Sequence, residues 1–132
     1  MDRIFLDANI LFSAAYREES GLVRLWGLED VELVTSAYAA EEARRNLDTA
    51  EQRERLVKLL EEGVRVIPVE PLVEVPPDVT LPEKDVPILR SAMASRSTHL
   101  LTGDTKHFGP YFGRVIGGVL ISRAAAYFKA KT

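Results

Sequence analysis

The sequence contains no cysteine, no excess of basic residues and no long apolar run. The absence of cysteine excludes a disulfide framework and a thiolate metal site. No apolar run approaches the ~20 residues of a membrane-spanning helix, and the N-terminus lacks the basic and apolar segments of a secretory signal. The net charge of −3 also argues against a broad basic surface for indiscriminate nucleic-acid binding. We therefore expect a cytoplasmic protein without a membrane partner, in which local arginines and metal ions attract any polyanion.

The chain has enough apolar sequence for one domain. Hydrophobic residues make up 46% of its 132 residues, so residues 1–132 are predicted to form a single domain. The predicted strands are 4–6, 31–35, 64–69, 98–102 and 119–121, the predicted helices are 10–16, 22–28, 37–47, 49–62, 83–96 and 123–129, and 70–82 is expected to be an extended connection. This alternation favours an α/β fold, a three-layer sandwich with a central, mostly parallel sheet of four to five strands flanked by helices.

Two carboxylates follow predicted strands. Asp7 ends the apolar strand Ile4-Phe5-Leu6, and Asp104 follows the strand that ends in Leu101-Thr102. A carboxylate next to a buried strand is costly unless something pairs with it. Because the carboxyl ends of parallel strands meet at one edge of the sheet, where ligand sites lie, we expect both acids at that edge.

Helix geometry adds a third acid. The helix 37–47 is expected to bury a stripe formed by Ala40, Ala43 and Leu47. A rotation of about 100° per residue then places Glu42 beside this stripe and turns Glu41 away from it. Glu42 is therefore the better candidate for the shared site.

Each candidate also has a purely structural interpretation. Asp85 lies in the first turn of the helix 83–96, on the side that faces the core, and could cap that helix or interact with its positive end. Asp104 could belong to a turn, and Glu42 could be one more solvated helix acid. Only the joint placement of the four acids, Asp7 included, favours a functional site.

A cluster of four carboxylates implies a cation. The acids repel one another, and a bound metal is the usual way in which such a site is stabilised. Oxygen ligands without thiolate or a histidine pair select Mg²⁺ or Mn²⁺ over zinc. Metal held by carboxylates can activate water and support in-line displacement at a phosphodiester. The residues therefore predict a metal-dependent hydrolase with an anionic substrate.

Four segments, in this order, resemble the successive motifs of PIN-domain nucleases. They are Phe5–Leu11, Ser36–Leu47 with Glu42, Asp85–Leu89 with Ala92, and Leu100–Asp104 with His107–Gly109. The resemblance spans nearly the whole chain. It implies a PIN-like fold, dependence on Mg²⁺ or Mn²⁺, and endonucleolytic cleavage of RNA that leaves a 5′ phosphate and a 3′ hydroxyl. Carried over to this chain, the catalytic residues and metal ligands are Asp7, Glu42, Asp85 and Asp104.

The resemblance also implies partners. Many small members of the family are toxins of VapC type that pair with an antitoxin. By this likeness we expect an antitoxin protein that covers the site and inserts an arginine among the acids, and a homodimer formed through the early helices. The sequence departs from the family at Lys106-His107, where some relatives place another acid, so one metal and two metals both stay open.

Five polar residues are candidates for supporting roles. Asn9 and Thr102 are expected to hydrogen-bond the acids or a metal-bound water. Arg44 and Arg45 lie on the helix that carries the predicted glutamate ligand, and Lys106 follows the fourth strand. These three cations are candidates for contacts to RNA phosphates. Such contacts position a strand without reading its sequence. The alternative for these three cations is a solvated face.

Other classes of protein remain alternatives. A non-catalytic PIN-like scaffold that binds RNA or protein would share the fold. A phosphorylated receiver domain would need a phosphoacceptor aspartate after the third strand, where this chain has Glu70. A phosphatase of the haloacid dehalogenase type would need a second aspartate at the position of Asn9.

Overall fold

The computed structural model describes residues 1–131, and Thr132, the last residue of the predicted domain, lies outside the described residues. The strands are β1 (Asp2–Leu6), β2 (Val31–Ser36), β3 (Val64–Ile67), β4 (His99–Leu101), β5 (Val115–Ile116) and β6 (Val119–Ser122). The helices are α1 (Ala8–Tyr16), α2 (Ala37–Asn46), α3 (Ala50–Glu61), α4 (Val86–Ala94) and α5 (Ala124–Lys131), with short 3₁₀ helices at Gly21–Gly27 and Gly109–Tyr111.

The strands form one sheet in the order β3-β2-β1-β4-β6-β5. Every pairing is parallel except that of β5 with β6, which is antiparallel. The α/β fold and the mostly parallel sheet flanked by helices are therefore confirmed. Within residues 1–131, the sheet has one strand more than the predicted maximum. The extra strand arises because Gly117 and Gly118, with φ of 56° and 86°, form the two-residue turn of a β-hairpin.

The strand order contains a reversal of direction. From β1 the chain adds β2 and then β3 on one side of the sheet, and it then returns to place β4 on the other side of β1. Leu6 is in register with Leu101, and the next amide, that of Asp7, donates to the carbonyl of Leu101 at 3.1 Å. The carboxyl ends of β1 and β4 are therefore adjacent at a topological switch point, the usual position of a ligand site in an open parallel sheet.

Buried side chains of the central strands and of the helices form the hydrophobic core. Ile4, Phe5 and Leu6 of β1 are completely buried, as are Leu100 and Leu101 of β4. Burial of both faces of the central strands requires helices on both sides of the sheet. Among the helices of residues 1–131, none is long and apolar enough to cross a membrane.

Two helices differ in detail from the sequence-based expectation. The buried stripe of α2 is formed by Ala39, Ala43 and the following Leu47, whereas Ala40 is only partly buried. The helix predicted over 83–96 covers Val86–Ala94. It begins later because the amide of Asp85 donates to the carbonyl of Pro82 in a preceding turn. It ends earlier because Arg96 adopts a left-handed conformation with φ of 57°.

Candidate active site

A cleft of about 340 Å³ lies at the carboxyl ends of β1 and β4. The four acids predicted from the sequence all line it: Asp7, Glu42, Asp85 and Asp104. They come from the end of β1, from α2, from the residue before α4 and from the loop after β4. The fold thus brings together four segments that are distant in sequence, and the cleft combines apolar walls with converging carboxylates.

Asp7 is the most deeply buried of the four acids, with 4% exposure. It is the residue before α1, and its Oδ1 accepts a hydrogen bond of 2.7 Å from the amide of Ala8. Its Oδ2 accepts 2.8 Å and 3.3 Å hydrogen bonds from Thr102 Oγ1 and Asn9 Nδ2. Both oxygens therefore have donors, which fix the carboxylate in one orientation.

These donors do not compensate fully for burial. The pKa of Asp7 is raised to about 6, mainly by burial and also by the negative charges of Asp85 and Glu42, against the opposing effect of the hydrogen bonds from Thr102 and Ala8. Loss of hydration disfavours the charged form of a buried carboxyl group, and neighbouring carboxylates act in the same direction. The protein without a bound cation therefore holds Asp7 in an unfavourable electrostatic environment.

Asn9 and Thr102 connect the segment that follows β1 with the segment that follows β4. Thr102 is fully buried, and its hydroxyl accepts a hydrogen bond of 3.1 Å from the amide of Asp104. Asn9 Oδ1 accepts a hydrogen bond of 2.7 Å from the amide of Gly103. The two side chains thus hold Asp7 and the start of the Asp104 loop in a common network.

Asp85 has an unsatisfied oxygen. The residue is 9% exposed, and its side chain makes no capping hydrogen bond to α4. Its Oδ2 is one of two buried side-chain atoms in residues 1–131 that have no hydrogen-bond partner. Burial raises the pKa of Asp85, and the charge of Asp104 adds to this effect, whereas His107 and Lys84 oppose it. A buried carboxylate oxygen without a donor is suited to a cation.

Asp104 lies in a tight turn that brings His107 beside it. Its Oδ1 accepts hydrogen bonds from the amides of Lys106 at 3.1 Å and His107 at 2.9 Å. Its Oδ2 is 2.9 Å from Nδ1 of His107. Burial tends to raise the pKa of Asp104, but these hydrogen bonds and the nearby imidazole hold it below its ordinary value. Asp104 is thus the acid of the cleft that is stabilised in its ionised form.

Glu42 and Glu41 lie on different sides of α2. Glu42 is partly buried and lines the cleft. Glu41 is exposed, and its carboxylate is 2.6 Å from Arg44 Nη2 and 4.0 Å from Arg45 Nε. The side chain of Glu42 therefore faces the other acids even though the buried stripe begins at Ala39.

The cations of the cleft differ from those selected in the sequence. Lys84 lines the cleft beside Asp85, whereas Arg44 and Arg45 pair with Glu41 on the outer side of α2. Lys106 is exposed, and only its backbone amide is bonded to Asp104. The position of Lys84 next to a predicted ligand is the signal that could have identified it. Phe12 and Asn46 also line the cleft and carry no recognisable sequence signal.

The donor set fits a divalent metal ion. Asp85, Asp104 and His107 each offer a ligand atom, and these atoms lie within 4.8 Å of one another. Carboxylate oxygens favour Mg²⁺ and Mn²⁺, and the orphaned Oδ2 of Asp85 supplies a ligand that the protein itself does not satisfy. His107 was not selected from the sequence, because a lone histidine after a turn is usually a packing or hydrogen-bonding residue.

No protein-family model and no curated protein matches the sequence. Among solved structures, the chain is similar to a chain in the crystal structure of VapBC2 from Rickettsia felis bound to a DNA fragment from their promoter. The TM-score is 0.67 at 14% sequence identity, over 92% of this chain and 98% of that chain. At this level of identity the similarity establishes the fold. The chain therefore has the PIN-like fold that the resemblance of its four sequence segments implies.

Proposed function

We propose that this protein is a cytoplasmic, Mg²⁺- or Mn²⁺-dependent endoribonuclease whose catalytic residues are Asp7, Glu42, Asp85 and Asp104. The observation that carries the proposal is the cleft that these four carboxylates line, in which one buried oxygen of Asp85 has no hydrogen-bond partner. Such a cleft is electrostatically costly for the protein alone and is suited to a divalent cation. The resemblance of the four sequence segments to PIN-domain nucleases supports RNA as the substrate.

The residues of the cleft would have different roles. Asp7, Glu42, Asp85 and Asp104 would together hold the cation. A bound divalent cation would polarise the phosphodiester and the attacking water. Thr102 and Asn9 orient Asp7 through their hydrogen bonds, as supporting residues do in metal sites. Lys84 lines the same cleft and would attract a phosphate of the RNA strand.

We further propose that the protein is the toxin of a toxin–antitoxin pair. The structural similarity to a VapBC2 chain supports an antitoxin partner, because that protein was crystallised as a VapBC2 assembly with promoter DNA. An antitoxin that covers the cleft and places an arginine among the acids would neutralise the cluster. Pairing of two copies of this chain through the early helices stays a prediction.

The test is cleavage of a mixed, structured RNA pool by the purified protein. We expect cutting with Mn²⁺ or Mg²⁺, products with a 5′ phosphate, and complete loss of cutting in EDTA. Asp7→Asn should abolish cutting while the protein stays folded. Asp78→Asn is the matched control, because Asp78 lies in an exposed loop with 70% of its side chain accessible. Full activity of Asp7→Asn would disprove the assignment, and absence of both cutting and metal binding would favour a non-catalytic RNA- or protein-binding scaffold.

A further inference from the structure

His107 lies between two of the proposed ligands. Its Nδ1 is 2.9 Å from Asp104 Oδ2 and 3.2 Å from Asp85 Oδ2. The first contact is a hydrogen bond, whereas Asp85 Oδ2 makes no hydrogen bond and is buried. The nitrogen thus approaches an oxygen that it does not satisfy. This arrangement is poor for a hydrogen-bonded network, but it brings three possible metal-ligand atoms close together.

The two distances from Nδ1 match the separation of neighbouring ligand atoms around a small cation. Octahedral Mg²⁺ has ligand distances of about 2.1 Å, so adjacent ligand atoms are separated by about 3.0 Å. The two distances from Nδ1 bracket this value. These two contacts join the imidazole nitrogen to the carboxylate just before α4 and to the carboxylate in the loop after β4.

The backbone holds the imidazole in place. The amide of His107 donates to Asp104 Oδ1 at 2.9 Å, which closes the turn that carries both side chains. The next residue, Phe108, is 1% exposed, and its amide donates to the carbonyl of Asp104 at 3.2 Å. An anchored aromatic residue and a closed turn leave the histidine little freedom to move away from these two acids. The ring is therefore pre-positioned rather than accidentally near the acids.

We propose that His107 is a metal ligand, through Nδ1, together with Asp85 and Asp104. This inference rests on the proposed function, because it concerns the cation of the same cleft. Metal binding would displace the Nδ1 proton that is hydrogen-bonded to Asp104, and the neutral ring would then carry its proton on Nε2. A mixed nitrogen and oxygen donor set shifts preference from Mg²⁺ toward transition metals, since imidazole is a better ligand for the first-row metals than for Mg²⁺. The site should therefore favour Mn²⁺ over Mg²⁺ more strongly than a site made of carboxylates alone.

The test compares metal binding by the wild-type protein, His107→Gln and His99→Gln. His99 is the matched control, because it lies at the start of β4 beside Tyr127 and not in the cleft. Calorimetric titration with each metal alone should show that His107→Gln lowers Mn²⁺ affinity by about tenfold or more. The same variant should change Mg²⁺ affinity much less. Electron spin-echo spectra of bound Mn²⁺ should show nitrogen modulation in the wild type and His99→Gln, and none in His107→Gln.

Three outcomes would overturn the proposal. If His107→Gln bound both metals more tightly, the imidazole would act as an internal cation that competes with metal. If Mn²⁺ bound to the wild type without nitrogen modulation, the carboxylates alone would hold it and the proposed nuclease would stand. If neither metal bound to the folded wild-type protein, the metal-dependent function would fail together with the histidine ligand. Thermal unfolding of all three proteins shows whether the variants keep the fold.

Discussion

Thr102 Oγ1 donates a hydrogen bond of 2.8 Å to Asp7 Oδ2 across β1 and β4, although 95 residues separate the two in sequence. The same hydroxyl accepts a hydrogen bond from the amide of Asp104. One threonine therefore connects two of the acids that line the cleft, and its hydroxyl is buried completely.

Thr102→Val keeps the shape of this side chain and removes its hydroxyl. The amide of Asp104 then loses its acceptor and Asp7 loses a donor, so we expect the free energy of unfolding to fall by about 1–3 kcal/mol. Loss of the hydrogen bond should also raise the pKa of Asp7 further. RNA cleavage should fall about 10–100-fold, as for other residues that orient metal ligands. Chemical denaturation and cleavage rates measure both effects, and Thr102→Ser should stay near wild type. Equal losses in the serine and valine variants would contradict a role for the hydroxyl.

Adjacent glutamates on α2 provide a matched pair. Glu42→Gln removes a charge from the cleft and should reduce cleavage about 100-fold, because a neutral amide is a much poorer metal ligand. Glu41→Gln removes only exposed ion pairs with Arg44 and Arg45, and such pairs contribute little to stability because water screens them. Its cleavage rate should equal that of the wild type. A loss of activity in Glu41→Gln with retention in Glu42→Gln would reverse the assignment of the two side chains.

Lys84 provides a test of substrate attraction. Because it lines the cleft beside Asp85, Lys84→Ala should weaken RNA binding severalfold at low salt. The slope of log Kd against log salt concentration should decrease by about 1, as expected for one lost phosphate contact. Arg44→Ala is the control, because Arg44 is engaged by Glu41 outside the cleft. Fluorescence anisotropy with catalytically inactive Asp7→Asn as the background measures binding without cleavage. A larger effect of Arg44→Ala would place the RNA path along the outer face of α2.

Stability of the metal-free protein should depend on the protonation of Asp7. The pKa of this carboxyl is raised from 3.8 to about 6 in the folded protein, so the folded state binds more protons than the unfolded state between these values. The contribution of Asp7 to stability is therefore fully present below the lower value and is lost as pH rises through that window, by on the order of 3 kcal/mol. Urea denaturation in EDTA at several pH values measures the slope. Asp7→Asn should flatten it, and an unchanged slope in this variant would show that other groups cause it.

The sequence predicts where the acids of the strand ends lie, because their placement is a matter of topology. Asp7 and Asp104 follow strands of a parallel sheet, and any such sheet brings its carboxyl ends to one edge. The predicted stripe of α2 begins at Ala40 and the observed one at Ala39, and this shift changes the facing direction too little to exchange Glu42 with Glu41.

The sequence does not reveal contacts that depend on local turn geometry. The approach of His107 to Asp85 and Asp104 depends on the turn after β4 and on the side-chain conformation of the imidazole, and neither has a periodic signature. The β5–β6 hairpin was missed because β5 has only two residues, too few for a period to be recognised. The sequence does not identify Lys84 as a residue of the cleft, because a single lysine at a helix start resembles any solvated cation.

The order of the strands also determines when the cleft comes into existence during translation. Asp7 and Asn9 leave the ribosome before the other residues of the cleft, and β2 and β3 can pair beside β1 as they are made. The other side of β1 stays vacant until β4 emerges with Thr102 and Asp104 behind it. A nascent chain that stops before residue 104 thus carries an incomplete set of carboxylates and no threonine to orient Asp7. Under the proposed function, the growing polypeptide cannot cut the messenger that encodes it until that strand has been delivered.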